Sequence, residues 1–152
     1  MIIGQSYDTG DRERMFAVGT YLLVKGSRTF VTMELSEDPE WFPEYDIPIG
    51  APTESAGSDI ANLYDTTNRV YRRDFDNAFV LVNAQHMSGS AVTVNLGGTY
   101  YLAKVSGGGI VPSSGTPTGK VTYEAVTSVH LPAYSAWMEN NTYKFSLALK
   151  YL

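Results

Sequence analysis

The spacing of apolar residues along this chain changes period twice. Ile2-Ile3-Gly4-Gln5-Ser6-Tyr7 is a short apolar run with the length of a buried strand. The spacing then becomes helical, with Met15, Phe16, Val18, Gly19, Leu22 and Leu23 on one broad face. Asp8 or Thr9 stands where it can cap this helix, and Asp11 and Glu13 place negative charge in its first turn. Lys25-Gly26 supplies a cation to the last turn and a glycine free to turn left-handed. Arg28 to Met33 returns to strand spacing. Strand, helix and strand make one βαβ unit over residues 1–35, which implies parallel strands and a right-handed crossover. Two parallel strands cannot cover both of their faces, so this unit requires neighbours.

Residues 36–68 break the pattern. Pro39, Pro43, Pro48 and Pro52 with several acids and a Ser/Gly cluster argue against regular structure. Trp41, Phe42 and Tyr45 are too apolar for a free linker, so residues 39–52 are expected to lie pinned across a surface. From residue 69 to 152 the texture is short strands and turns. Arg69 to Phe75 and Phe79 to Asn83 flank the compact turn Asp76-Asn77-Ala78. Alternation places Val70, Arg72 and Asp74 on one face of the first strand and Tyr71, Arg73 and Phe75 on the other. Its partner is apolar on both faces and should lie centrally. Gly97-Gly98 reads as a second hairpin turn, and residues 106–119 as a long mobile loop. Lys120 to Glu124, Val126 to Leu131 and Ala136 to Met138 complete a small sandwich of about seven strands, with Tyr143 to Leu149 as one more possible strand. The expected class is α+β: a short βαβ segment followed by a mainly antiparallel β-sandwich.

Charge and composition then remove several functions. The net charge is −5 with Lys and Arg scattered, which leaves no basic stripe for nucleic acid. No apolar run approaches the ~20 residues that span a bilayer. The chain has no cysteine, and its two histidines, His86 and His130, lack metal-ligand spacing, so no cofactor or metal is expected. Only 18% of residues are charged, while Tyr, Thr, Ser and Gly are plentiful, which suits an extracellular or cell-surface β-rich protein.

Several ordered pieces resemble a known family. These are Trp41-Phe42-Pro43-Glu44-Tyr45-Asp46, Gly50-Ala51-Pro52, Tyr71 to Asn77, Val80 to Asn83, Val94 to Tyr100 and Val129 to Ser135. Together they resemble the end of the barrel and the C-terminal β-sandwich of barrel-type glycoside hydrolases. The resemblance implies that residues 1–35 are the last strand–helix–strand of a (β/α)₈ barrel. It makes residues 36–68 the loop leaving that barrel and residues 69–152 a sandwich that braces it. It implies carbohydrate as a partner, together with the remaining barrel or other copies of the chain. A segment of this size would not be catalytic alone. The alternative is a self-standing structural or assembly subunit, or a carbohydrate-binding module.

Glycoside hydrolysis needs two carboxyl groups facing each other across the sugar. Asp8, Asp11, Glu34, Glu40, Glu44 and Asp46 are the carboxylates available near strand ends and in the loop. Glu34 is the candidate for a catalytic group, although helix capping already accounts for Asp8 and Asp11. Trp41, Tyr45 and Tyr7 are candidates for stacking on sugar, and Trp41 and Tyr45 would serve equally as a hydrophobic plug between barrel and sandwich. Arg72, Arg73, Glu44 and Asp46 are candidates for a domain interface, with the acids paired to the arginines.

Overall fold

In the computed structural model of the chain the described residues are 2–5, 10–33, 37–54, 59–85 and 89–140. Strands β1 (Ile2–Gln5) and β2 (Thr29–Thr32) pair in parallel, with Ile2 opposite Thr29, and helix α1 (Asp11–Val24) joins them. The N-cap of α1 is Gly10, which has no side chain to offer; Asp8 and Thr9 lie outside the described residues. Asp11 and Glu13 do occupy the first turn. At the other end Lys25 caps the helix with extended backbone, and Gly26 is not among the left-handed residues. The chain turns instead on Thr29, whose hydroxyl accepts from the Gly26 N–H at 2.8 Å and donates to the Gly26 carbonyl at 3.1 Å.

The remaining described residues form a loop segment and two antiparallel sheets. Strand β3 (Glu40–Trp41) leads into a 3₁₀ turn (Pro43–Asp46), and a second 3₁₀ turn (Ile60–Leu63) precedes β4 (Tyr64–Asp65). Then come β5 (Val70–Asp74), β6 (Ala78–Asn83), β7 (Val92–Gly107), β8 (Gly109–Ile110), β9 (Gly119–Leu131) and β10 (Ser135–Asn140). Six of them form one sheet in the order β4-β5-β6-β10-β7-β9, and β3 pairs with β8. The described residues are thus mostly antiparallel sheet with one helix, which is consistent with the expected α+β class.

Helix α1 is apolar on more than one side because it is covered from more than one side. It contacts β1 and β2 and also β5, β6 and β10 of the large sheet. Met15, Val18, Leu22 and Leu23 meet Val80, Val82, Ala136 and Met138 in one buried cluster. Gly19 sits at the closest approach of helix and sheet, where an added Cβ would stand 2.4 Å from that of Ala136. The other face of the sheet holds a second cluster, with Val70, Phe79 and Leu81 against Val92, Val94, Leu102, Val129 and Leu131. All six residues of β6 are buried, as its apolar run implied.

Two sequence expectations change here. Gly97-Gly98 does not turn a hairpin: β7 runs through it because β9 offers a partner on both sides. Between the pairs Asn95–Ser128 and Tyr100–Val126 the longer β7 bulges, with Gly97 left-handed at φ 69° and its N–H on Asn95 Oδ1 at 3.0 Å. A bulge bends and twists its strand, and the bent β7–β9 hairpin closes the sheet's far face with its own residues, rather than with a separate second sheet. The Gly-rich stretch is likewise partly regular, since Ser106 and Gly107 end β7 and Gly109 and Ile110 pair with Trp41 and Glu40. The suggested strand at Tyr143 to Leu149 lies outside the described residues.

Candidate functional site

The segment from Pro39 to Thr53 is a strap stitched at both ends. At one end Val111 N–H donates to Pro39 O at 2.8 Å beside the β3–β8 ladder. At the other, Asp76 N–H donates to Ala51 O at 2.9 Å, Ala51 N–H donates back to Asp76 Oδ2 at 3.0 Å, and Thr53 N–H reaches Asp74 O at 3.1 Å. Phe42 and Ile47 are buried under the strap. Between the strap, α1 and β2 lies a cavity of about 480 Å³, with Tyr21, Lys25, Phe30, Glu44, Tyr45 and Ile47 in its wall. Phe30 is 55% and Tyr45 41% exposed, so two aromatic side chains remain available there. The Tyr45 ring stands edge-on to Phe42 at 5.9 Å. Burial pushes the Tyr45 phenol above its ordinary pKa, and the Glu44 and Glu40 carboxylates add to the shift.

Charges beneath the strap are paired on α1. Arg14 Nε donates to Glu44 Oε1 at 2.8 Å, and its Nη2 donates to Asp11 Oδ1 at 2.7 Å and to Gly107 O at 3.0 Å. The Arg14 guanidinium also stands 4.9 Å from the centre of the Phe42 ring. The side chains of Arg14 and Glu44 are both buried. One cation therefore ties helix, strap and β7 together, and two of the proposed carboxylates, Asp11 and Glu44, are committed to it.

The acids were expected to pair with Arg72 or Arg73, and the structure assigns them otherwise. Arg73 Nη1 donates to the carbonyls of Leu22, Leu23 and Lys25 at 2.9, 3.1 and 2.9 Å, and Nη2 to Glu54 O at 3.1 Å. The cation at the end of α1 thus comes from β5 and not from Lys25. The C-terminal carbonyls of a helix carry partial negative charge and lack partners of their own, which makes them a seat for a guanidinium. Arg72 lies on the opposite face, pairs with Asp74 at 2.7 Å and stacks on Phe79 at 4.2 Å. Asp46 is exposed and has no ion pair among the described residues.

Trp41 and Tyr45 do not share a surface. Tyr45 lines the cavity, whereas Trp41 lies half-buried against Gly119, whose added Cβ would sit 3.0 Å from the indole. Glu34 and Tyr7 lie outside the described residues. No group of three or more acidic or histidine side chains stands together as a metal site among the described residues. Arg14, Tyr21 and Phe30 were not singled out from sequence, and Lys25 was read only as a cation at the helix end. Arg14 was detectable in principle, because it shares a helical face with Val18 and Leu22 and a charge on an apolar face calls for a partner.

A helix held between a parallel strand pair and an antiparallel sheet, with an aromatic-walled cavity under a strap, defines a class of architecture but no activity. The family follows from comparison. The model of the hypothetical glycosyl hydrolase family 15 matches residues 3–79, just over half of the chain, and the chain belongs to that family. The matched residues run from β1 through the strap to the start of β6, and so include Arg14, Glu44 and Arg73. No curated protein and no solved structure matched.

Proposed function

We propose that this chain is the C-terminal segment of a glycosyl-hydrolase-like protein, in which β1–α1–β2 ends a (β/α)₈ barrel and the sheet domain braces it. The observation that carries this reading is the double fastening of α1. Arg73 grips its last carbonyls from β5, and Arg14 ties its first turn to the strap and β7. A barrel's outer helix has one side on the barrel strands, and here the other side is occupied by the antiparallel sheet. Arg73 and Glu44 are the interface residues of this reading, and Arg72 and Asp46 stand at its margin. Tyr45 and Phe30 offer flat apolar faces to the C–H face of a sugar, and Tyr7 and Glu34 follow the strand ends where barrel enzymes place substrate contacts. Trp41 acts as the plug that holds strap to sheet. The segment is not catalytic alone, because barrel active sites draw on the ends of several strands and the described residues contain one parallel pair.

The test is titration of the purified chain with soluble oligosaccharides, followed by backbone NMR, beside a turnover assay on aryl glycosides. The expected result is no turnover, with sugar-induced shifts centred on Tyr45 and lost in Tyr45→Ala while the fold persists. Robust turnover abolished by Glu34→Gln would overturn the non-catalytic reading. Sugar shifts indifferent to Tyr45→Ala would overturn the stacking role.

A further inference from the structure

The large sheet has two unlike edges. One is β4, two residues long and carrying Asp65, which is a customary way to make an edge unattractive. The other is β9, thirteen residues long, which among the described residues is bonded to β7 on one side only. Its ends are covered: Gly119 lies under Trp41, and Val129 and Leu131 are buried in the far cluster. Between them residues 120–124 alternate between exposed and half-buried, residues 125–128 are exposed apart from half-buried Val126, and the run has no proline. This run bears only two charges, Lys120 and Glu124, of opposite sign.

We propose that β9 is a homodimer edge, pairing antiparallel with β9 of a second copy about a twofold axis at Thr122. That register sets Thr122 opposite Thr122, Val121 opposite Tyr123 and Lys120 opposite Glu124, the last two occurring twice by symmetry. Thr–Thr, aromatic–β-branched and opposite-charge pairs all belong to the favourable cross-strand classes. The faces also agree. Lys120, Thr122 and Glu124 alternate with Val121 and Tyr123, which pack against the helix-side cluster, so the paired sheet continues that core across the axis. Neighbouring registers are poor. An axis at Tyr123 gains a Tyr–Tyr pair but loses both Lys–Glu pairs, setting Lys120 opposite Val126 and Thr122 opposite Glu124, and an axis at Glu124 sets two carboxylates face to face. Glu124 already faces Lys104 within the chain, so Lys120 of the second copy would complete a Lys–Glu–Lys row. Edge charges normally deter pairing, but this spacing makes them self-complementary. The contact uses a different surface from β1–β2 and is independent of the barrel reading.

Sedimentation of the full chain over a concentration series tests it. The expected species has twice the 16.7 kDa chain mass. Lys120→Glu and Glu124→Lys, each setting like charges opposite twice, should weaken dimerisation about tenfold. The double variant Lys120→Glu/Glu124→Lys should restore it, with an unchanged far-UV spectrum throughout. Thr122→Pro, at the axis, should leave a monomer. A chain that stays monomeric at every concentration would overturn the proposal. So would a dimer indifferent to the single reversals, one not rescued by the double variant, or one dissolved only by Phe30→Asp, which would place the contact on β2.

Discussion

Arg72 and Arg73 are neighbours in one strand, yet the two faces of β5 hold them in opposite ways. Arg73 faces α1, is 3% exposed, and uses three helix-end carbonyls and Glu54 O in place of a carboxylate. Burial pulls its pKa below the ordinary arginine value, and nearby Glu54 pushes it back up. Arg72 faces away, partly exposed, with Asp74 and the Phe79 ring as its partners. The difference extends to the two clusters. The helix-side cluster is threaded by Arg14, Glu44 and Arg73, while the far-side cluster encloses no buried charge, its buried polar side chains being Ser135 and Asn83, whose Nδ2 donates to Ser90, Leu131 and Pro132 carbonyls. A charge on a sheet becomes structural when the opposing element brings unpaired polar groups that only it can satisfy. A helix end does so, and a bent hairpin does not.

The strongest way to break this comparison is to remove each arginine in turn. Arg73→Met leaves buried helix carbonyls unpaired and should cost about 3–5 kcal/mol in urea unfolding. Arg72→Met should cost less than about 1 kcal/mol, because its ion pair is partly solvated. Equal losses would mean that both faces use charge alike.

A smaller effect is expected where helix and sheet touch. Gly19→Ala gains helix propensity but forces a Cβ into Ala136, for a net loss of about 1–2 kcal/mol in the same assay. A gain in stability would show that the helix-side packing has slack.

The smallest effects are titrations at the two margins. Asn68 holds Asp65 below its ordinary pKa through a side-chain and then a backbone hydrogen bond. A depressed folded pKa contributes stability that is present above the unfolded value and lost as pH falls through the folded one. Asn68→Ala should therefore raise the Asp65 pKa in an NMR titration and shrink that acid-side loss. Tyr45 has the opposite sign. Its raised pKa contributes stability present below the ordinary phenol value and lost as pH rises through the folded value, and Tyr45→Phe should remove this alkaline limb.

Much of the fold was legible because local periodicity carries it. Residues 11–24 declared a helix by spacing, residues 70–83 declared a charged strand beside an apolar one, and the strap announced itself by aromatics among prolines. The β7–β9 hairpin misled because Gly97-Gly98 has the composition of a turn, and only a long partner strand makes it a bulge. The site was less legible. Trp41 and Tyr45 look alike in sequence and are four residues apart, yet Trp41 ends β3 at the β3–β8 corner while Tyr45 lies within the following 3₁₀ turn, which places it on the cavity.

By itself the sequence determined the βαβ unit, the central apolar strand and the demand for a partner at every buried charge, since these depend on spacing and on the cost of burial. Only the tertiary structure decided which partner each charge took. Arg14, and not Arg72 or Arg73, met Glu44, and Arg73 met the end of α1 across some fifty residues of chain. Many pairings would satisfy the same charges, and sequence cannot choose among them. The packing of helix on sheet brings one set within bonding distance and leaves the others apart.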